Sequence, residues 1–205
     1  PKGGNGYALK AEKIVTDELD RRGVPLELSH TERAGQGTAL AAEAAATGRY
    51  DAVLAVGGDG TAYEVACGLM GTGIPMGIIP GGTGNDFIKT TGTPRKPLEA
   101  LEFILTHEPR PVDIGSLNDR MFLNVCGTGF DVTVLDYTLS AKRFCRGLLP
   151  YMIGLLRAIF HYEPVDVTYI ADGVETHKKV LVCSVDNGRF IGGGIPMCPV
   201  AIPDD

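Results

Sequence analysis

Two apolar runs in this chain each end in a glycine-rich turn that carries an aspartate. Asp51-Ala52-Val53-Leu54-Ala55-Val56 leads into Gly57-Gly58-Asp59-Gly60-Thr61, and Ile74-Pro75-Met76-Gly77-Ile78-Ile79 leads into Pro80-Gly81-Gly82-Thr83-Gly84-Asn85-Asp86-Phe87. Short apolar runs closed by glycines that open a helix read as buried parallel strands of an α/β sheet. Such sheets bind ligands at the carboxyl ends of their strands, where both turns fall. Glycines let backbone N–H groups approach a phosphate closely, whereas a carboxylate ~4 Å away repels it by about 4 kcal/mol per charge pair at an effective dielectric of ~20. A phosphate loop that keeps its aspartate therefore calls for Mg²⁺.

Around these turns the apolar spacing predicts helices over residues 7–22, 37–48, 61–70 and 98–106, another opening at Asn85, and a short strand at Leu26-Glu27-Leu28. After Thr106 the rhythm changes. Residues 112–117 and 120–125 read as a hairpin around Asn118-Asp119, and Pro164 to Ile170 with Glu175 to Val185 as a second antiparallel pair around Ala171-Asp172-Gly173. The expected organisation is an α/β domain over residues 1–110, with a parallel sheet, and a mainly antiparallel β domain over 111–205 with a helical insertion at Leu135 to Phe160. The start on Pro1 and the stop at Asp204-Asp205 read as cut ends, so the second domain is expected to be incomplete.

Composition removes several function classes. With 19 Lys and Arg against 25 Asp and Glu, the net charge of −6 gives no general support to nucleic-acid coating. Cys67, Cys126, Cys145, Cys183 and Cys198 form neither a CxxC pair nor a zinc spacing, and read as free thiols in a reducing compartment. The chain opens without a signal peptide, which points to a cytoplasmic location. It also contains no GxxxxGK[ST] loop, and no GxGxxG follows its first strand.

Without a P-loop lysine, metal and positive charge have to come from elsewhere. Mg²⁺ favours one or two carboxylates completed by water and phosphate oxygens, and in phosphoryl transfer the protein mainly positions and neutralises. Asp59, Asp86 and Asp113 follow one another at intervals of 27 residues, each at a strand end or turn. Ordinary roles stand beside that reading: a Gly-Gly-Asp-Gly surface turn, a helix cap for Asp86, and a solvated strand-edge charge for Asp113.

Taken together, Gly57-Gly58-Asp59-Gly60-Thr61, Gly82-Thr83-Gly84-Asn85-Asp86-Phe87, Val112-Asp113-Ile114-Gly115 and Phe122-Leu123-Asn124-Val125-Cys126-Gly127-Thr128-Gly129 resemble the diacylglycerol kinase catalytic family, nearest in pattern to its bacterial soluble lipid kinases. Pro1 to Gly6 looks like the tail of that family's opening Asn-Pro-x-Ser-Gly motif, with Gly3 in the serine's place. Asp186-Asn187-Gly188, Gly192-Gly193-Gly194 and Pro199 look like its later strand and glycine motif. Gly-Gly-Asp-Gly-Thr alone is shared with NAD kinases and, loosely, phosphofructokinases; the Gly-Thr-Gly-Asn-Asp-Phe companion is far more specific.

The resemblance implies an NAD-kinase-like parallel α/β nucleotide domain, a β-rich second domain, and ATP-dependent transfer of the γ-phosphate to a lipid hydroxyl, giving phosphatidic acid if the acceptor is diacylglycerol. Gly57, Gly58, Gly60 and Thr61 would hold the nucleotide phosphates, and Gly82, Thr83 and Asn85 would line the nucleotide cleft. Glu64, the matching member of a family Asn-Glu pair that reads Tyr63-Glu64 here, would join this nucleotide-binding set. Asp59, Asp86 and Asp113 would organise Mg²⁺, and Asp204 and Asp205 look like the start of a turn that binds a second, structural metal. The general base is expected C-terminal to Asp205. Two other classes stay open: a nucleotide-binding regulatory module without kinase activity, and a kinase of a soluble acceptor such as NAD.

The stretch Leu139 to Tyr162 mixes Lys142, Arg143, Arg146 and Arg157 with many large apolar residues. Its apolar run is too short to span a bilayer, so it either packs into the protein's own core or lies at an anionic membrane surface. The partners to look for are ATP, a lipid at a membrane surface contacted peripherally, and a second copy of the chain in a homodimer.

Overall fold

In a computed structural model that describes residues 6–141, 144 and 149–204, the two apolar runs form adjacent parallel strands. In chain order the first half contains α1 (Tyr7–Arg21), α2 (Gln36–Ala46), β1 (Val53–Gly57), α3 (Asp59–Leu69), β2 (Met76–Pro80), α4 (Phe87–Thr91) and α5 (Pro97–Thr106). The pairing of β1 with β2 runs from Val53 opposite Met76 to Gly57 opposite Pro80. This register brings both glycine turns to one end of the pair.

Strand side chains alternate between faces, so each face needs its own helices. Leu54, Val56 and Ile79 pack with Ala11, Val15 and Leu19 of α1 and with Ala100, Leu101 and Ile104 of α5. Val53 and Ala55 pack on the other side with Ala41 and Ala45 of α2 and Val65 and Leu69 of α3. A third cluster joins Ala62, Ala66 and Ile78 to Phe87 and Ile88 of α4 and to Leu123. Ile79, Ile88 and Leu101 are fully buried, each contributing about 1.5–3 kcal/mol of transfer free energy. Arg22, at the end of α1, pairs with Glu18 and reaches Glu102 of α5 at 2.6 Å, fastening the two helices of one face.

The strand expected at Leu26-Glu27-Leu28 does not form. Residues 24–30 have no regular structure, and both leucines stay exposed. Three alternating residues offer too few ladder bonds to hold a strand that finds no partner edge.

Helix α2 starts at a glycine without a side-chain cap. Its N-terminal amides are satisfied instead from α3: the Glu64 carboxylate accepts the Gly35 N–H at 2.8 Å and the Gly37 N–H at 2.9 Å. Thr38 donates its hydroxyl to the Glu64 carbonyl, completing the strut. Glu64→Ala is expected to lower unfolding stability by about 1–2 kcal/mol, measured by denaturant titration, because it strips a charged cap from a helix N-terminus.

The compact units do not part at residue 110. One runs to Asn124 and takes back the chain from Asp186 onward; the other is Val125–Val185. Hydrogen bonds distant in sequence explain the return. Asn187 Nδ2 donates to the carbonyls of Asp113 (2.7 Å) and Leu123 (2.8 Å), Arg189 N–H donates to Thr90 Oγ1 (2.9 Å), and Asp113 N–H donates to the Pro203 carbonyl (2.7 Å). The expected hairpin is present in this unit as β3 (Gly115–Leu117) and β4 (Arg120–Phe122), turning at Asn118 with φ 53°.

The second unit contains β5 (Val125–Gly129), α6 (Phe130–Ala141), α7 (Leu149–His161), β6 (Val165–Ala171), β7 (Val174–Val180) and most of β8 (Val182–Asp186). Strands β6 and β7 pair antiparallel about Asp172-Gly173, both at positive φ as a two-residue hairpin turn requires. The apolar run expected as one strand to Val185 breaks at Leu181, and β8 leaves to pair with β5. Two short strands, β9 (Phe190–Ile191) and β10 (Ile195–Pro196), follow in the returning segment.

The described residues of 139–162 are divided between a buried and an exposed face, so the core-packing reading holds for one side of α7. Pro150, Gly154 and Ala158 are buried in a seam against α6, where a Cβ on Gly154 would overlap Thr138 Oγ1. Leu139, Leu149, Leu156, Ile159 and Phe160 face solvent, Phe160 at 78% exposure. Lys142, Arg143, Cys145, Arg146 and Leu148 lie outside the described residues, as do Pro1 to Asn5 and Asp205. Cys67, Cys126, Cys183 and Cys198 are free thiols. Among the described residues no helix is long and apolar enough to cross a membrane.

Candidate nucleotide-phosphate site

The β1–α3 and β2–α4 turns stand against each other with no side chain between them. A Cβ on Gly58 would be 3.1 Å from Gly82 Cα, and one on Gly82 would overlap Gly58 Cα outright. Parallel register forces this approach, because Gly57 and Pro80 are already paired and the next residues on each strand must turn together. Helix α3 begins here, and its N-cap Gly58 makes no side-chain cap bond. The first-turn amides therefore carry the positive end of the helix dipole to the two glycine loops.

Asp59 ties the loops to each other. Its Oδ1 accepts the backbone N–H of Asp86 at 2.7 Å and of Phe87 at 3.0 Å, so the first glycine turn dictates where the second ends. Its Oδ2 lies beside Gly84, where an added Cβ would be 3.1 Å from it and 3.4 Å from Asp86 Oδ2. Asn85 shapes the second loop from within: at φ 49° it takes the left-handed conformation that asparagine tolerates, accepts the Gly82 N–H at 3.1 Å and donates to the Gly82 carbonyl at 2.8 Å.

Asp86 does not act as a helix cap. Although it sits at the N-cap of α4, its carboxylate makes no cap bond. One oxygen pairs with Lys89 Nζ at 2.5 Å and the other accepts the Gly193 N–H at 2.8 Å.

The residues singled out from sequence thus separate by place. Gly57, Gly58, Gly60, Asp59 and Thr61 share the first turn with the start of α3, Thr61 lying over Gly57, and Gly82, Thr83, Asn85 and Asp86 form the second turn beside it. Asp113 is exposed, and its backbone is tied to the returning segment at Asn187 and Pro203. Glu64 faces α2 with both carboxylate oxygens engaged. Asp204 is exposed. Among the described residues no group of three or more His, Cys, Asp or Glu side chains is placed to hold a metal ion, so Asp59, Asp86 and Asp113 do not meet as a direct three-carboxylate cluster.

Residues 1–117 match the family model described as "Diacylglycerol kinase catalytic domain". The chain belongs to that family. Residues 124–205 match a second model, "YegS C-terminal NAD kinase beta sandwich-like domain". The chain is 34% identical over 195 residues to a Pseudomonas putida protein named "Probable lipid kinase YegS-like", covering 94% of this chain and 65% of that one. It is 34% identical over 212 residues to a protein of Mycobacterium tuberculosis named "Diacylglycerol kinase", covering 100% of this chain and 68% of that one. A crystal structure titled as a diacylglycerol kinase of Bacillus anthracis aligns with a TM-score of 0.76 at 32% identity, covering 100% of this chain and 68% of that chain. The chain thus spans about two thirds of the length of these relatives, and its fold is that of the diacylglycerol kinase family: a helix-and-strand domain followed by a β-rich one.

For a member of this family the donor set fits Mg²⁺ through few protein ligands. Asp59 Oδ2 is the carboxylate oxygen turned toward Gly84, whereas both oxygens of Asp86 have protein partners. One carboxylate completed by water and phosphate oxygens suits Mg²⁺, so no three-carboxylate cage is required. Sequence reasoning missed Lys89 and gave the Gly192–Gly194 loop no role. The available signal was the i, i+3 spacing of Asp86 and Lys89 on one helical turn.

Proposed function

We propose that this protein transfers the γ-phosphate of Mg·ATP to a lipid hydroxyl, with diacylglycerol as acceptor and phosphatidic acid as product. The observation that carries this reading is the pair of abutting glycine loops held in one piece by the Asp59 carboxylate. Backbone amides of Gly58 and Gly60, with the first turn of α3, receive phosphate oxygens at a seam that Gly82 keeps open by having no Cβ. Thr61 adds a hydroxyl at the same turn. Asp59 Oδ2 would hold Mg²⁺, which when bound would neutralise phosphate charge.

Lipid access is supported by the α6–α7 helices. Leu139, Leu156, Ile159 and Phe160 present apolar surface to solvent, and residues 139–162 include four Lys and Arg but no Asp or Glu, in a chain of net charge −6. That composition favours peripheral contact with an anionic bilayer surface. Labelled ATP and Mg²⁺ supplied to the full polypeptide with diacylglycerol, ceramide, sphingosine and monoacylglycerol in mixed micelles, and with soluble NAD, should yield labelled phosphatidic acid. Label on NAD would make the protein a soluble-acceptor kinase. ATP binding with no labelled product would make it a nucleotide sensor.

A further inference from the structure

The Asp86 carboxylate beside the second glycine loop is compensated by Lys89, a lysine that no glycine motif contains. Lys89 projects from α4 with 17% of its side chain exposed and reaches three things at once. It pairs with Asp86 Oδ1, donates to the Gly84 carbonyl inside the second phosphate loop at 3.2 Å, and lies against Gly194, where a Cβ would be 3.3 Å from Nζ. Asp86, 8% exposed, turns its other oxygen to the Gly193 N–H. Gly192, Gly193 and Gly194 all have positive φ, at 59°, 90° and 126°, a conformation that glycine adopts readily and other residues do not.

Resting on the reading of this site as a nucleotide-phosphate site, we infer that Lys89 is a positioning residue: with Asp86 it latches the Gly192–Gly194 loop onto the Gly82–Gly84 loop, giving the phosphate site a second wall of backbone. The geometry requires both charges. Asp86 without Lys89 is a nearly buried, uncompensated carboxylate beside the place where phosphate must sit, which repels the nucleotide and weakens the hold on Gly84. Lys89 without Asp86 loses the group that orients it, and Gly193 loses its acceptor. Thr90, one residue on, accepts the Arg189 N–H at 2.9 Å, so α4 together with its N-cap Asp86 fastens the returning chain at two points.

The test is Mg·ATP binding and hydrogen exchange on the full polypeptide carrying Lys89→Met, Lys89→Arg, Asp86→Asn or Asp86→Asn with Lys89→Met. Lys89→Met should weaken Mg·ATP by about 10- to 100-fold, while Lys89→Arg, which keeps the charge, should stay within about 3-fold of the parent. The double variant should bind better than Lys89→Met, because the uncompensated carboxylate is gone. A double variant no better than Lys89→Met overturns the positioning role and makes Lys89 a direct ligand of the phosphate. Amide exchange at residues 190–195 should quicken in Lys89→Met; unchanged exchange overturns the latch. That readout needs no nucleotide, so failure of the parent to bind Mg·ATP would sink the functional reading and leave the latch to be judged by exchange alone. If Lys89→Met does not fold, Lys89→Arg together with the double variant decides the matter: near-parent binding by Lys89→Arg with partly retained binding by the double variant supports charge compensation, and loss of binding in both overturns it.

Discussion

Asp59→Asn is expected to abolish the proposed Mg·ATP-dependent phosphate transfer, by about 10³-fold or more, while the variant unfolds within a few degrees of the parent. The two halves of this expected result have separate causes. Asparagine keeps an Oδ1 acceptor, so the N–H groups of Asp86 and Phe87, bound at 2.7 and 3.0 Å in the parent, retain their partner and the two glycine loops remain joined. It replaces Oδ2, the oxygen beside Gly84, with an uncharged amide NH₂ whose nitrogen offers no lone pair to a cation. Asp59→Ala is the contrasting variant: it removes the acceptor as well, leaves two amides without their partner, and should lose stability by about 1–3 kcal/mol in addition to activity. Initial rates with labelled ATP and a urea titration of both variants separate the roles. Full activity in Asp59→Asn would remove Asp59 from the metal site.

The second large effect comes from a residue with no side chain. Gly82→Ala places a methyl group onto Gly58 Cα and within 2.9 Å of Asn85 Oδ1. Neither neighbour can yield cheaply. Gly58 is fixed by the pairing of Gly57 with Pro80, and Asn85 is held to Gly82 by two hydrogen bonds. The loops must separate, at an expected cost of about 1–3 kcal/mol in stability and with loss of measurable Mg·ATP binding by calorimetric titration. Gly60→Ala is the internal control, since nothing lies within 4 Å of a Cβ there. Its fold should be unchanged, so any loss of binding would report on the space a phosphate needs. Parent-like ATP affinity in Gly82→Ala would mean that nucleotide does not use the seam between the two loops.

Much of the first half could be read from local pattern because its elements obey local rules. Apolar runs of parallel-strand length, bounded by glycine turns and helical spacing, led to β1, β2 and the helices beside them within a few residues of where they lie. The Asp-Gly turn between β6 and β7 was legible for the same reason: two positive-φ positions admit few residues. The segment Leu26 to Leu28 misled because alternation describes one strand's side chains and says nothing of whether a partner edge exists. The 27-residue rhythm of Asp59, Asp86 and Asp113 likewise says nothing by itself of which side chains meet. Equal spacing along the chain brought the first two to Gly84 and left the third exposed, tied by its backbone to the returning segment.

From its sequence alone, this chain determined a parallel strand pair with glycine loops at its carboxyl end, the family to which those loops belong, and the carboxylate that anchors them. Backbone conformation and hydrophobic periodicity are encoded within a few residues of where they act. Tertiary structure decided which charged groups meet. It set Glu64 against the amides of α2, put Lys89 on the second glycine loop, and brought Gly193 back from more than a hundred positions away to the carboxylate of Asp86. Such pairings depend on where the chain returns after a separate compact unit from Val125 to Val185, and on the buried carboxylates and amides that must find partners once water is excluded.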